Sequence, residues 1–208
     1  MPANADIIDH LVGIVPGSGL DQIRRRRTQA RDNAQASYEA LFAPETPGAV
    51  SHVERFAVAA FVAGLTGSQV ANAFYLSETV RLHPGVAEVV RREIARGQAD
   101  GPYGAYPEGP LTRENKAGPL YEPDAPACEA LGPRLAAALR HAHLIVLHPR
   151  DADPVALQAL LDAGWTTPAI VTLSQIIAFV SFQARVVAGL TALNPVAGDA
   201  PTESVTHA

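Results

Sequence analysis

The chain has 208 residues, of which 48% are apolar and 18% are charged, and this composition excludes disorder over most of its length. A net charge of −5 lacks the positive footprint of a nucleic-acid-binding protein, so we expect no nucleic-acid partner. The single cysteine, Cys128, excludes an internal disulfide and a zinc site built from four cysteines.

The sequence predicts neither an N-terminal targeting signal nor a membrane-spanning helix. Residues 1–6 carry no basic run ahead of the first apolar residues, so we expect a cytoplasmic protein. Residues 163–184 are uncharged and long enough to span a bilayer. They include several threonines, serines and glutamines, which favours a buried helix of a soluble protein over a membrane span.

The N-terminal part of the chain, residues 1–48, is predicted to be a helical extension with one long helix over 18–42. Ser18 is a suitable N-cap, and Asp21 suits the positive end of the helix dipole. The four arginines at 24–27 are interpreted as a solvated helix face. A phosphate or nucleic-acid patch is the alternative, and the acidic net charge argues against it.

A central helix is predicted after the proline- and glycine-containing break at 44–48. Ser51 and Glu54 form a capping-box pattern ahead of the apolar run 56–63, which is apolar on all faces. Ser68 then caps a helix to about residue 82, and a further helix covers about 86–97.

Residues 99–127 change character, because ten of the 29 residues are glycine or proline. Such a segment cannot form a helix or a central strand. Its large side chains predict an ordered arm that covers a pocket mouth or a subunit interface, with five anchors: Tyr103, Tyr106, Leu111, Leu120 and Tyr121. A flexible linker is the alternative.

Helices are predicted to resume at Pro133, after Asp153-Pro154, and after Thr167-Pro168, where the last helix covers about 169–193. No stretch alternates as a strand would, so the predicted fold class is all-α. Residues 49–193, including the arm, form the predicted helical domain, and residues 194–208 form a polar tail.

The last helix carries Phe179, Phe182 and Arg185 and closes with Gly189-Leu190, after Asp162-Ala163-Gly164-Trp165. With the preceding order of helices, this pattern resembles the alkyl hydroperoxidase D-like, carboxymuconolactone decarboxylase superfamily, and more narrowly its peroxidase-related branch, over about residues 50–193. Two asparagines of that branch are replaced, by Ser181 and by Gln183-Ala184. The resemblance implies a hydroperoxidase-D-like helical bundle, homo-oligomerisation, and either antioxidant peroxidase or decarboxylase chemistry.

Active members of that superfamily use a glutamate, the two cysteines of a Cys-x-x-Cys motif and a histidine. With Gly67 aligned to the residue before the first cysteine, these positions hold Phe56, Ser68, Ala71 and Tyr75. All four redox groups are therefore replaced, and one cysteine in the whole chain means that no alignment can restore the dithiol.

Four residues remain candidates for lining a retained pocket: Ser68, Tyr75, Gln175 and Arg185. Arg185 lies on an apolar helix, so it is either paired in a salt bridge to a neighbouring helix or subunit, or anchors an anionic ligand. Tyr75 either fills the vacated redox space or serves as a hydrogen-bond donor or general acid.

Other chemistry is not favoured. Adjacent Glu129 disfavours a reactive thiolate at Cys128. On a helix, His141 and His148 would share a face and His143 would point away, which favours solvent or capping roles over a metal site. No metal and no cofactor are predicted. We expect a catalytically degenerate homo-oligomer that binds a small molecule or pairs with an active relative. The alternatives are a peroxidase-related antioxidant enzyme and a non-redox, decarboxylase-type enzyme.

Overall fold

The computed structural model describes residues 6–198, and the side chains of residues 6–194. Within this part of the chain the fold is all-α, as predicted. Two short 3-10 turns accompany nine α-helices: α1 (Ile7–Val12), α2 (Gly19–Arg25), α3 (Thr28–Phe42), α4 (His52–Leu65), α5 (Gln69–Leu82), α6 (Pro84–Gly97), α7 (Ala125–Leu147), α8 (Pro154–Asp162) and α9 (Thr167–Gly198).

Helix α4 is the centre of the bundle and packs against α5, α6, α7 and α9. Every residue from Arg55 to Leu65 is buried, which confirms the prediction of a central helix. The predicted capping box is present, since the Ser51 N–H donates to the Glu54 carboxylate at 2.8 Å. Gly64 permits the close approach of α6, because a Cβ there would lie 2.5 Å from Cγ2 of Ile94.

The prediction of one long helix over 18–42 is wrong. Helix α2 ends at Arg25 and α3 begins at Thr28, with non-helical backbone at Arg27 between them. The cap was predicted correctly, since the Ser18 hydroxyl accepts from the Asp21 N–H at 3.3 Å. Beside this turn, two carboxylates at the start of α1 meet the basic run.

The basic run is therefore not simply a solvated face. Arg24 is buried and forms ion pairs with Asp6, at 2.8 Å, and with Asp9. Arg31, on α3, pairs with the same two carboxylates. Burial, followed by the neighbouring Asp6, raises the pKa of Asp9 above its usual range despite the arginines. This cluster joins α1, α2 and α3 electrostatically.

Arg55 connects the N-terminal extension to α4. Its guanidinium is buried and donates to three backbone carbonyls, those of Leu41 at 2.6 Å, Pro47 at 2.8 Å and Val50 at 2.9 Å. One side chain thus satisfies carbonyls at the end of α3 and along the following loop, which holds that loop against the central helix.

The arm is ordered against the ends of α6 and α7. Tyr103 and Tyr121 are buried, and the Tyr121 hydroxyl donates to Glu93 at 2.7 Å. The Tyr103 N–H donates to the Leu147 carbonyl at 2.6 Å. Tyr106 packs under the guanidinium of Arg150, 4.3 Å from the ring centroid. These contacts agree with the prediction of an ordered arm.

Two of the five predicted anchors of the arm are wrong. Leu111 and Leu120 are 46% and 80% exposed. The arm is also shorter than predicted, because α7 begins at Ala125, where Asp124 caps it at 2.8 Å. The start predicted at Pro133 corresponds to a break inside α7, where Gly132 adopts a positive φ of 74°.

Ser68 stands at the N-cap position of α5 as predicted, but its hydroxyl forms no capping hydrogen bond. The two later start signals hold, with one shift in register. Asp153 caps α8 by accepting from the Ala156 N–H at 2.8 Å. At the start of α9 the capping hydroxyl is that of Thr166, which accepts from the Ala169 N–H at 3.4 Å. Helix α9 continues past residue 193 to Gly198, so the first part of the predicted tail is helical. Residues 199–208 lie outside the described residues.

Candidate functional site

The four positions that the resemblance assigns to redox chemistry lie on α4 (Phe56), at the N-cap of α5 (Ser68) and within α5 (Ala71 and Tyr75). Phe56 and Tyr75 face each other, with ring centroids 6.3 Å apart. Ala71 and Tyr75 are fully buried, and Ser68 is half-buried. The structure therefore brings Phe56, Ala71 and Tyr75 into the core, while Ser68 remains at its edge.

Two further rings complete this group, which we call the aromatic cluster: Phe42, Phe56, Tyr75 and Phe179. The Phe42 ring centroid lies 5.0 Å from that of Tyr75, 5.2 Å from that of Phe56 and 6.3 Å from that of Phe179. Such separations are those of rings in direct contact. The cluster fills the space beside Tyr75 with side chains from α3, α4, α5 and α9.

Tyr75 is held by a buried hydrogen bond across the bundle. Its hydroxyl donates to Oε1 of Gln183 on α9 at 2.7 Å, and both side chains are fully buried. Burial, followed by the nearby Tyr38, raises the pKa of Tyr75 well above its ordinary value. Because the hydroxyl is fully buried and its proton is donated to Gln183, these contacts favour the packing role of Tyr75 over the general-acid alternative.

Phe42 and Gln183 were not predicted as members of this site. Phe42 belongs to the N-terminal extension, and its only sequence signal is the Tyr38–Phe42 pair at helical spacing, whose rings stack at 5.3 Å. The only sequence signal at Gln183 was that the pair Gln183-Ala184 lies where the peroxidase-related branch has an asparagine. Its Nε2 is buried without a hydrogen-bond partner among the described residues.

The other two candidate pocket residues do not meet Tyr75. Gln175 and Arg185 are exposed on α9 and face different grooves. Gln175 lines the α3/α9 groove, a cavity of about 600 Å³ between those two helices. Arg185 lines the arm groove, a cavity of about 640 Å³ bounded by the ends of α4 and α7, the start of the arm and one face of α9.

Arg185 has no carboxylate partner within residues 6–194. Its Nη1 donates to the Ser181 carbonyl at 2.7 Å, one turn earlier on the same helix. The salt bridge to a neighbouring helix of this chain, one of the alternatives for this residue, is therefore not formed in the described structure.

The histidines are arranged differently from the sequence-based expectation. His143 and His148 lie together, with ring centroids 5.8 Å apart, because the chain leaves the helix before His148. Nε2 of His143 bonds the Gly97 carbonyl at 3.1 Å, while His148 bonds the Pro119 carbonyl at 2.9 Å and Asp151 at 3.0 Å. His141 is separate and buried against α8. Nε2 of His148 therefore holds the arm at Pro119, while Nε2 of His143 holds the end of α6.

Helix α9 is long and apolar enough to cross a membrane by length and composition alone. Residues Thr167–Asn194 have a mean hydropathy of 1.8, and 39% of the most apolar stretch is buried within the bundle. Core helices of soluble proteins reach the same length and hydropathy, so this finding is weak evidence for a membrane span.

Comparison with known proteins gives no match: no family model, no curated protein and no solved structure is similar to this chain.

Proposed function

We propose that this protein is a hydroperoxidase-D-like bundle whose dithiol site has been replaced by packed core, and that it acts as a non-redox binding protein within a homo-oligomer. The aromatic cluster is the observation that carries the loss of redox function, and the α3/α9 groove and the arm groove supply the space for a binding role. Phe56 and Tyr75 occupy two of the positions where the resemblance places redox groups, and Phe42 and Phe179 close the remaining space. Tyr75 itself is fully buried, so its hydroxyl is not exposed to a substrate in solution.

The location of the single thiol supports the same conclusion. Cys128 lies in the first turn of α7, half-buried, with Sγ 3.6 Å from the Pro123 carbonyl. Reduction of a hydroperoxide through a disulfide needs a second sulfur within reach, and the chain has no other cysteine. A decarboxylase-type enzyme that uses the retained pocket is not favoured, because the cluster fills that pocket.

Exposed apolar side chains support association of copies. On α9, Val171 and Phe182 are 53% and 48% exposed, and on α8, Val155 is 73% exposed. Large apolar side chains left exposed on a protein surface are typical of surfaces that become buried in an assembly.

Two measurements test the proposal. Peroxide consumption with a dithiol or lipoyl-type reductant should stay at the background rate for the wild type and for Cys128→Ser. If the wild type consumes peroxide at enzyme-like rates and Cys128→Ser does not, the proposed loss of redox function is wrong. Sedimentation at micromolar concentration should show dimers or larger species, and a monomer would overturn the oligomeric part.

A further inference from the structure

The arm groove is kept open by small side chains on one face of α9. Ala178, Ser181, Ala184 and Ala188 recur every three or four residues and line its floor. Opposite them, the groove is walled by apolar side chains, including Leu65 at the end of α4 and Ile145 and Val146 at the end of α7. Its volume of about 640 Å³ is within the usual range of small-molecule sites, about 300–1,000 Å³.

One positive charge is placed on this floor. Arg185 is the only charged residue between Thr167 and Asn194. Its bond to the Ser181 carbonyl, at 2.7 Å through Nη1, fixes the guanidinium along the helix. In the part of the chain that the structure describes, its other N–H groups have no protein acceptor. Those donors are free to form a charge-assisted pair with a carboxylate.

One acidic residue belongs to the same groove. Asp100, at the start of the arm, also lines the groove and is exposed. A ligand with two negative groups would bring one of them towards this carboxylate, and like charges repel. The groove thus combines one cationic anchor, apolar walls and one acidic residue.

We propose that the arm groove binds a monoanionic carboxylate with an apolar body, with its carboxylate on Arg185 and its apolar part between Leu65 and Ile145. The inference rests on the proposed binding role and names the ligand class for it. The beginning of the arm forms one wall of this site, so an ordered arm is needed to keep the site formed.

Calorimetric titration with octanoate and with its neutral analogue octanamide tests the site. The wild type should bind octanoate about tenfold more tightly than octanamide, because only octanoate forms the charge-assisted pair. Arg185→Gln should remove that difference and leave octanamide binding unchanged. Ala188→Phe, which places a ring in the groove from an exposed position, should weaken the binding of both.

The matched control is Arg92→Gln, which removes an exposed arginine from α6, outside the groove, and should change neither affinity. The absence of octanoate binding at millimolar concentration would overturn the proposal, as would equal effects of Arg185→Gln and Arg92→Gln. Octanedioate bound as tightly as octanoate would overturn the monoanion assignment. None of these outcomes depends on peroxide turnover or sedimentation, so failure of this site and failure of the proposed function are separable.

Discussion

His141 provides a sharp test of how this core is stabilised. It lies on α7, 5% exposed, and neither ring nitrogen has a hydrogen-bond partner among the described residues. A cavity of about 50 Å³ between α7 and α8 adjoins the ring. Burial lowers the pKa of His141 from its ordinary value of 6.5, so the ring is neutral at pH 7.

The perturbation is His141→Leu, which removes one buried donor and one buried acceptor. Each unsatisfied buried group costs about 1–3 kcal/mol. A water molecule in the adjoining cavity would satisfy one of the two, so the expected gain in the free energy of unfolding at pH 7 is about 1–2 kcal/mol. For a chain of this length that corresponds to a rise in Tm of about 2–8 °C.

The same residue makes stability depend on pH. The pKa of His141 is lower in the folded state than in the unfolded state. His141 therefore does not reduce the free energy of unfolding of the wild type above about pH 6.5, and this free energy falls as the pH drops towards the folded-state pKa. The stability advantage of His141→Leu over the wild type should therefore grow between pH 7 and pH 5. The control is His52→Gln, which removes a partly exposed histidine and should not show this pH-dependent gain in the free energy of unfolding over the wild type.

Urea unfolding followed by circular dichroism from pH 5 to pH 8 measures both effects. The reasoning is refuted if His141→Leu lowers the free energy of unfolding at pH 7, as an ordinary core deletion does. It is also refuted if the difference between variant and wild type is constant with pH.

Further outcomes follow from contacts elsewhere in the fold. Tyr75→Phe should lower the free energy of unfolding by about 1–3 kcal/mol in urea, because it leaves the Gln183 amide without its partner, and Gln183→Met in the same chain should recover most of the loss. Arg24→Met should cost about 3 kcal/mol, since two mostly buried carboxylates lose a partner; no change would mean that solvent screens the cluster. Trypsin should cleave after Lys116 slowly in the native protein and rapidly in Tyr103→Ala, and rapid cleavage of the wild type would contradict a held arm.

Local signals in the sequence predicted much of the helical framework. Capping residues such as Ser51 and Asp153 mark helix starts because they satisfy the first free N–H groups, a property of a few adjacent residues. The all-apolar run after Ser51 likewise predicted burial on every side. The break between α2 and α3 could not be predicted, because it depends on Arg24 meeting carboxylates of a helix that the sequence pattern did not reveal.

The candidate site was predicted in part, for the same physical reason. Of the four positions taken from the resemblance, Phe56 and Tyr75 lie in contact, since α4 and α5 are consecutive and packed together. Gln175 and Arg185 were assigned to the same pocket because they share α9, yet a helix exposes more than one face and each points into a different groove. Gln183 on that helix meets Tyr75 instead, a contact that no local pattern encodes.

Phe42 has a consequence for dissecting the chain. It belongs to the N-terminal extension, yet its ring contacts Phe56, Tyr75 and Phe179, on three helices of the domain that follows. A fragment restricted to residues 49–193 would keep those three helices and lose the ring that closes the space between them. Removing the N-terminal extension would therefore open a cavity beside Tyr75, which the Phe42 side chain fills in the full chain.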